Sequence, residues 1–68
     1  MIYKKTKIIC TIGPAVDTVE KIGMLIDAGM DAARLNFSHG TQDIHKKYIK
    51  NIREAGKIKG KIIAIIQD

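Results

Sequence analysis

The chain has 68 residues, 46% of them hydrophobic and 28% charged, with a formal net charge of +5. That length allows at most one small domain, in which only about 60% of the unfolded chain's surface can be buried, and the composition excludes a disordered polar chain. No segment approaches the ~18 apolar residues of a membrane span, and the single cysteine, Cys10, excludes an intrachain disulfide framework or a cysteine-rich zinc site.

Residues 6–12 predict a β-strand, in which Cys10 among Ile8, Ile9 and Ile12 reads as a small buried hydrophobe. The basic start from Met1 to Lys7 is followed by too short an apolar run for a secretory signal, since Gly13-Pro14 breaks it. A cytoplasmic location is the expectation. Asp17 then reads as a helix N-cap, with Glu20 three residues on completing a capping-box pattern. Val19, Ile22 and Ile26, widened by Met24 and Leu25, form a helical stripe over 18–28, which Gly29 stops. Residues 32–37 predict the second strand. Thr41 is the expected cap of the second helix, whose inward stripe reads Ile44, Tyr48, Ile52 and Ala55, joined by Ile49; Gly56 and Gly60 bracket its frayed end. Residues 61–67 predict a third strand, apolar on both faces through Ile62 to Ile66.

The order is β-α-β-α-β. Right-handed crossovers would make the strands parallel and put both helices on one face of the sheet. The other face, read as Ile8, Cys10, Ile12, Ile62, Ala64 and Ile66, would then be bare. A small sheet with an open apolar face and two open edges is a poor soluble protein. The fold expected is therefore a piece of a larger α/β structure, with a barrel favoured because it closes both edges.

Seven of the twelve basic residues (Lys46, Lys47, Lys50, Arg53, Lys57, Lys59 and Lys61) lie in one stretch where Glu54 is the sole acid. A nucleic-acid patch is one reading of that stretch. The solvated face of a helix, with cations near its C-terminus, is the stronger one. No aromatic stacking platform accompanies the lysines, so neither nucleic acid nor membrane is an expected partner.

The run Ala33-Arg34-Leu35-Asn36-Phe37-Ser38-His39-Gly40 carries the chemical signal. Alternation puts Arg34, Asn36 and Ser38 on one face of the second strand and Ala33, Leu35 and Phe37 on the other. A strand covered on both sides should not carry such a polar stripe. If the third strand presents Asp68 to the same side, the carboxyl end of the sheet gathers hard oxygen donors suited to a group-I or group-II cation. Arg34 adds a planar fork for phosphate or carboxylate, and His39 stands at a helix entrance that favours anions. Singly, each has a plainer role. Arg34 could pair with an acid, Asn36 and Ser38 could satisfy loop backbone, His39 could be solvated, and Asp68 could cap a helix. Their concentration on one face is what points to a site. Thr11, at the end of strand one, is open to a ligand-facing role, and His45 reads as surface. There is no P-loop, dinucleotide fingerprint, Cys/His metal motif or nucleophile elbow.

Three stretches, Thr6-Lys7-Ile8-Ile9-Cys10-Thr11-Ile12-Gly13-Pro14-Ala15, then Ala28-Gly29-Met30, then Ala33 through Gly40, closely resemble the N-terminal part of the pyruvate kinase family. The likeness runs from about Lys5 to Asp68. It implies that residues 1–68 form an incomplete part of a (β/α)8 barrel domain, its first three strands. It implies the glycolytic transfer of a phosphoryl group from phosphoenolpyruvate to ADP, giving pyruvate and ATP, with magnesium and potassium as cofactors and a homotetramer as the whole protein. By the same resemblance Arg34 contacts the substrate phosphoryl group; Asn36, Phe37, Ser38 and His39 contribute to nucleotide binding; Asn36, Ser38 and Asp68 bind potassium. The family's catalytic lysine, magnesium-binding carboxylates and substrate threonine lie beyond Asp68, so no catalytic residue is expected in this chain and the 68-mer alone is expected to be inactive. The rival reading from the residues is a stand-alone βαβαβ binding or assembly module without catalysis.

Overall fold

The computed structural model describes residues 6–36 and 41–67. In chain order these form β1 (Ile8–Thr11), a 3-10 turn (Pro14–Val16), α1 (Val19–Asp27), β2 (Met30–Leu35), α2 (Gln42–Lys59) and β3 (Ala64–Gln67). The strands are parallel in the order β1-β2-β3, so β2 is the central strand.

Local chemistry sets the helix ends. The cap of α1 is Thr18, one residue later than Asp17. Its extended backbone lets Oγ1 accept the Lys21 N–H at 3.2 Å. Asp17 has a helical backbone conformation after the 3-10 turn, which leaves the capping geometry to its neighbour. At the far end the chain reverses through Gly29, at φ 114°, a conformation open to glycine. Thr41 caps α2 as expected, accepting the Ile44 N–H at 3.2 Å. The helix closes with a Schellman arrangement: Gly60, at φ 69°, donates to Lys57 O at 3.3 Å, and Lys61 donates to Gly56 O at 2.9 Å. Gly56 does not belong to a frayed end. It is buried in the helix, where the returning chain lies against it.

A single core lies between the sheet and the helices. Ile22 and Ile26 from α1 and Tyr48, Ile52 and Ala55 from α2 pack on Ile12, Ala33, Leu35 and Ile63. At about 25 cal/mol per Å2, burial of these side chains is the main favourable term in the fold. Pairing fixes which residues face the helices. Cys10 and Ile65 lie beside Ala33 and pack against the core, whereas Thr11 and Ile66 lie beside Arg34 and are exposed. The open face of the sheet is thus built from Ile9, Thr11, Ala32, Arg34, Ala64 and Ile66. Cys10 and Ile12, read from sequence onto that face, belong to the core. Ile62 precedes β3 and stands 92% exposed. The error came from a strand with a weak phase signal: Ile8 to Ile12 is apolar on both faces, and Thr11 alone marks the outward one.

Gly56 makes the closest backbone approach among the described glycines. A Cβ there would sit 2.6 Å from Lys61 O, which is backbone and cannot swing aside. Gly56→Ala is expected to lower stability by about 1–3 kcal/mol, read from the urea midpoint. An unchanged midpoint would show that the turn after α2 does not pack on the helix.

Candidate functional site

The carboxyl ends of β1 and β2 meet the first turns of α2 around a cleft of about 400 Å3. Thr11 and Pro14 form one side, Asn36 stands at the end of β2, and Ile44, His45 and Tyr48 come from α2. The loop on the β1 side is tied in place from α2: Asn51 Nδ2 donates to Asp17 O at 2.8 Å, in a part-buried bond. The Ile12 N–H donates to Arg34 O at 3.0 Å, continuing the β1–β2 pairing beyond Thr11 to the lip of the cleft.

Arg34 and Asn36 stand differently. Arg34 is exposed on the open face, between Thr11 of β1 and Ile66 of β3. Asn36, just past the end of β2, is half-buried and lines the cleft. Thr11 connects the two environments, being opposite Arg34 and also part of the cleft wall. Phe37, Ser38, His39 and Asp68 lie outside the described residues. Of the candidate site residues, the structure therefore places Arg34 and Asn36.

His45 corrects the sequence reading. It is 5% exposed, and its ring faces Tyr48 with centroids 6.4 Å apart and planes tilted by 43°. Ile44, assigned to the inward stripe, is 39% exposed and borders the cleft instead. The signal was present in the spacing, because His45, Tyr48, Ile52 and Ala55 follow one another at three, four and three residues. A polar residue type hid it. Asn51, which anchors one side of the cleft, was also missed; nothing in the local pattern distinguishes it from a solvated helix residue.

The donors at this rim are oxygen and nitrogen groups of neutral side chains plus one guanidinium. They can orient anionic oxygens and hold a weakly hydrated cation. No group of three or more His, Cys, Asp or Glu that could hold a metal ion occurs among the described residues. The arrangement is that of a barrel segment with a ligand-facing carboxyl rim.

Comparison with known proteins agrees with that class. The family described as "Pyruvate kinase, barrel domain" matches residues 3–68, and the chain belongs to the pyruvate kinase family, as the N-terminal part of its barrel domain. It is 55% identical over 65 residues to pyruvate kinase of Geobacillus stearothermophilus and 53% identical over 66 residues to that of Dictyostelium discoideum. Those matches cover 96% and 97% of this chain, and the chain spans 11% and 13% of the relatives' lengths. The solved structure of Cryptosporidium parvum pyruvate kinase in complex with ADP superposes with a TM-score of 0.91 at 49% identity, covering 100% of this chain and 14% of that one.

Burial separates His45 from its neighbour. His45→Ala should cost roughly 1–3 kcal/mol of stability, and the exposed Lys46→Ala less than about 0.5 kcal/mol. Equal effects on the urea midpoint would return His45 to the surface.

Proposed function

We propose that this segment supplies one wall of the site at which a pyruvate kinase transfers a phosphoryl group from phosphoenolpyruvate to ADP. The observation that carries the reading is the exposed Arg34 on the central strand, beside a cleft lined by Asn36, in a chain 55% identical to a pyruvate kinase. Arg34 is the group that would contact the substrate phosphoryl oxygens. Its fork matches phosphate geometry and its charge offsets what develops during transfer. The cleft beside Asn36 is the candidate space for the nucleotide, with Asn36, Phe37, Ser38 and His39 as its contributors. A relative solved in complex with ADP supports that class of ligand.

Potassium is proposed at Asn36, Ser38 and Asp68, whose side-chain oxygens are the hard donors such a cation takes. Asn36 fits that role in being half-buried at the strand end, and the β2–β3 register sets Arg34 beside Ile66, the phase that a site shared between those strands requires. Bound there, the cation would supply positive charge near the phosphoryl oxygens. Magnesium belongs to the proposed reaction, but no residue of this chain is assigned to hold it. The whole protein is proposed to be a cytoplasmic homotetramer. Nothing observed favours a stand-alone assembly module.

Two assays test this. The 68-residue chain alone should form no ATP from phosphoenolpyruvate and ADP; robust formation by the purified chain contradicts the division of roles. Grafted in place of the matching segment of the Geobacillus stearothermophilus enzyme, it should support activity. Arg34→Met in that graft should then lower kcat/KM for phosphoenolpyruvate by about 100-fold or more. An active graft indifferent to Arg34→Met would remove Arg34 from the site.

A further inference from the structure

At the amino end of the sheet, opposite the rim, the β1–β2 ladder has an irregularity. Between Ile8 and Ile9 the strand β1 advances one residue while its partners on β2 advance two, from Met30 to Ala32. The ladder passes over Asp31, and the side chain of Asp31 takes up what the ladder leaves. Its Oδ2 accepts the Ile8 N–H at 2.9 Å. Its Oδ1 lies 3.1 Å from Lys61 Nζ, on the segment that leads into β3. One carboxylate on the central strand thus holds the chain on each side of it. The Asp31 side chain is 15% exposed, while its partners Ile8 and Lys61 are more open to solvent. Among the described residues, Lys61 is a charged group that faces it; Lys59, two residues earlier, is engaged by Asp27 at 2.8 Å.

We infer that Asp31 is a positioning residue: its carboxylate pins the register of β1 against β2 and so sets Thr11 opposite Arg34 at the other end of the sheet. Beyond the irregularity the pairs run Ile9 with Ala32, Cys10 with Ala33 and Thr11 with Arg34. A slip of one residue would reverse the facing of every β1 side chain. Cys10 and Ile12 would leave the core and Thr11 would leave the Arg34 face. The sequence from Ile8 to Ile12 resists such a slip chiefly through Thr11, which a slip in either direction would carry into the core. A polar bond from outside β1 reinforces that single mark. The pin acts whether or not the rim takes phosphate; only its bearing on catalysis rests on the function proposed above.

The test is an NMR pH titration of the labelled 68-residue chain. An amide bonded to a carboxylate shifts as that carboxylate protonates. The Ile8 amide should move between about pH 2 and pH 6, and contacts between Thr11 and Arg34 should be present at neutral pH. Lys61→Met should leave the Ile8 titration in place. Asp31→Ala should speed Ile8 amide exchange about tenfold or more and weaken the Thr11–Arg34 contacts. Asp31→Asn keeps an acceptor oxygen, and so should retain those contacts while abolishing the titration. An Ile8 amide indifferent to pH in the parent chain, or loss of the Thr11–Arg34 contacts in Asp31→Asn, overturns the inference. So does their full retention in Asp31→Ala. Failure of the Arg34 reading would instead appear in the kinetics of the grafted enzyme and leave these spectra unchanged.

Discussion

The candidate site in this chain depends on the phase of β2. It is the central strand, and only one face of the sheet carries helices. Ala33 and Leu35 are fully buried beneath those helices, so the residue between them must face the other way. That residue is Arg34. The same hydrophobic burial that holds α1 and α2 to the sheet therefore displays the guanidinium. Moving Arg34 inward would bring Ala33 and Leu35 out, cost the core two fully buried side chains and bury a charge.

The flanking strands follow that phase by different means. Along β3, Ile65 goes inward and Ala64 and Ile66 outward, an assignment set by pairing with β2 rather than by composition, and Ile63 just before the strand also enters the core. On β1 the register is held at two places. Asp31 acts at the amino end, and at the carboxyl end Ile12 bonds to Arg34 O while its side chain enters the core. The proposed site and its support thus occupy opposite ends of the sheet, the usual division in barrel folds. The loop from Gly13 to Asp17 belongs to the upper end, where Asn51 anchors it to α2 and so fixes one side of the cleft.

The element order and the strand directions were legible because the helical stripes and the Gly and Thr signals at their ends are strong. Thr41 and Gly29 serve as read, whereas Gly60, read as part of a frayed end, closes a Schellman cap. The facing of Arg34 on β2 was legible for the same reason the strand's phase is firm: its place between Ala33 and Leu35 allows one facing. β1 was not, because a run of isoleucines alternates with itself. His45 was misplaced because residue type outweighed spacing, and Ile44 took its place on the stripe. Asp31 gave no local sign, since its role depends on a backbone N–H twenty-three residues away and on Lys61 beyond α2. Long-range polar contacts of this kind are absent from periodicity. The family resemblance named the chemistry of the rim, which the described geometry alone would have left as a generic anion- and cation-binding edge.

The most direct measurement is the set of side-chain contacts of Arg34 in solution, from nuclear Overhauser spectra of the folded segment. The predicted result is contact with the methyl groups of Thr11 and Ile66 and none with Ile22, Tyr48 or Ile52. Contact of Arg34 with those helix residues, with Leu35 turned to the open face, would contradict the phase of β2 and with it the assignment of the site.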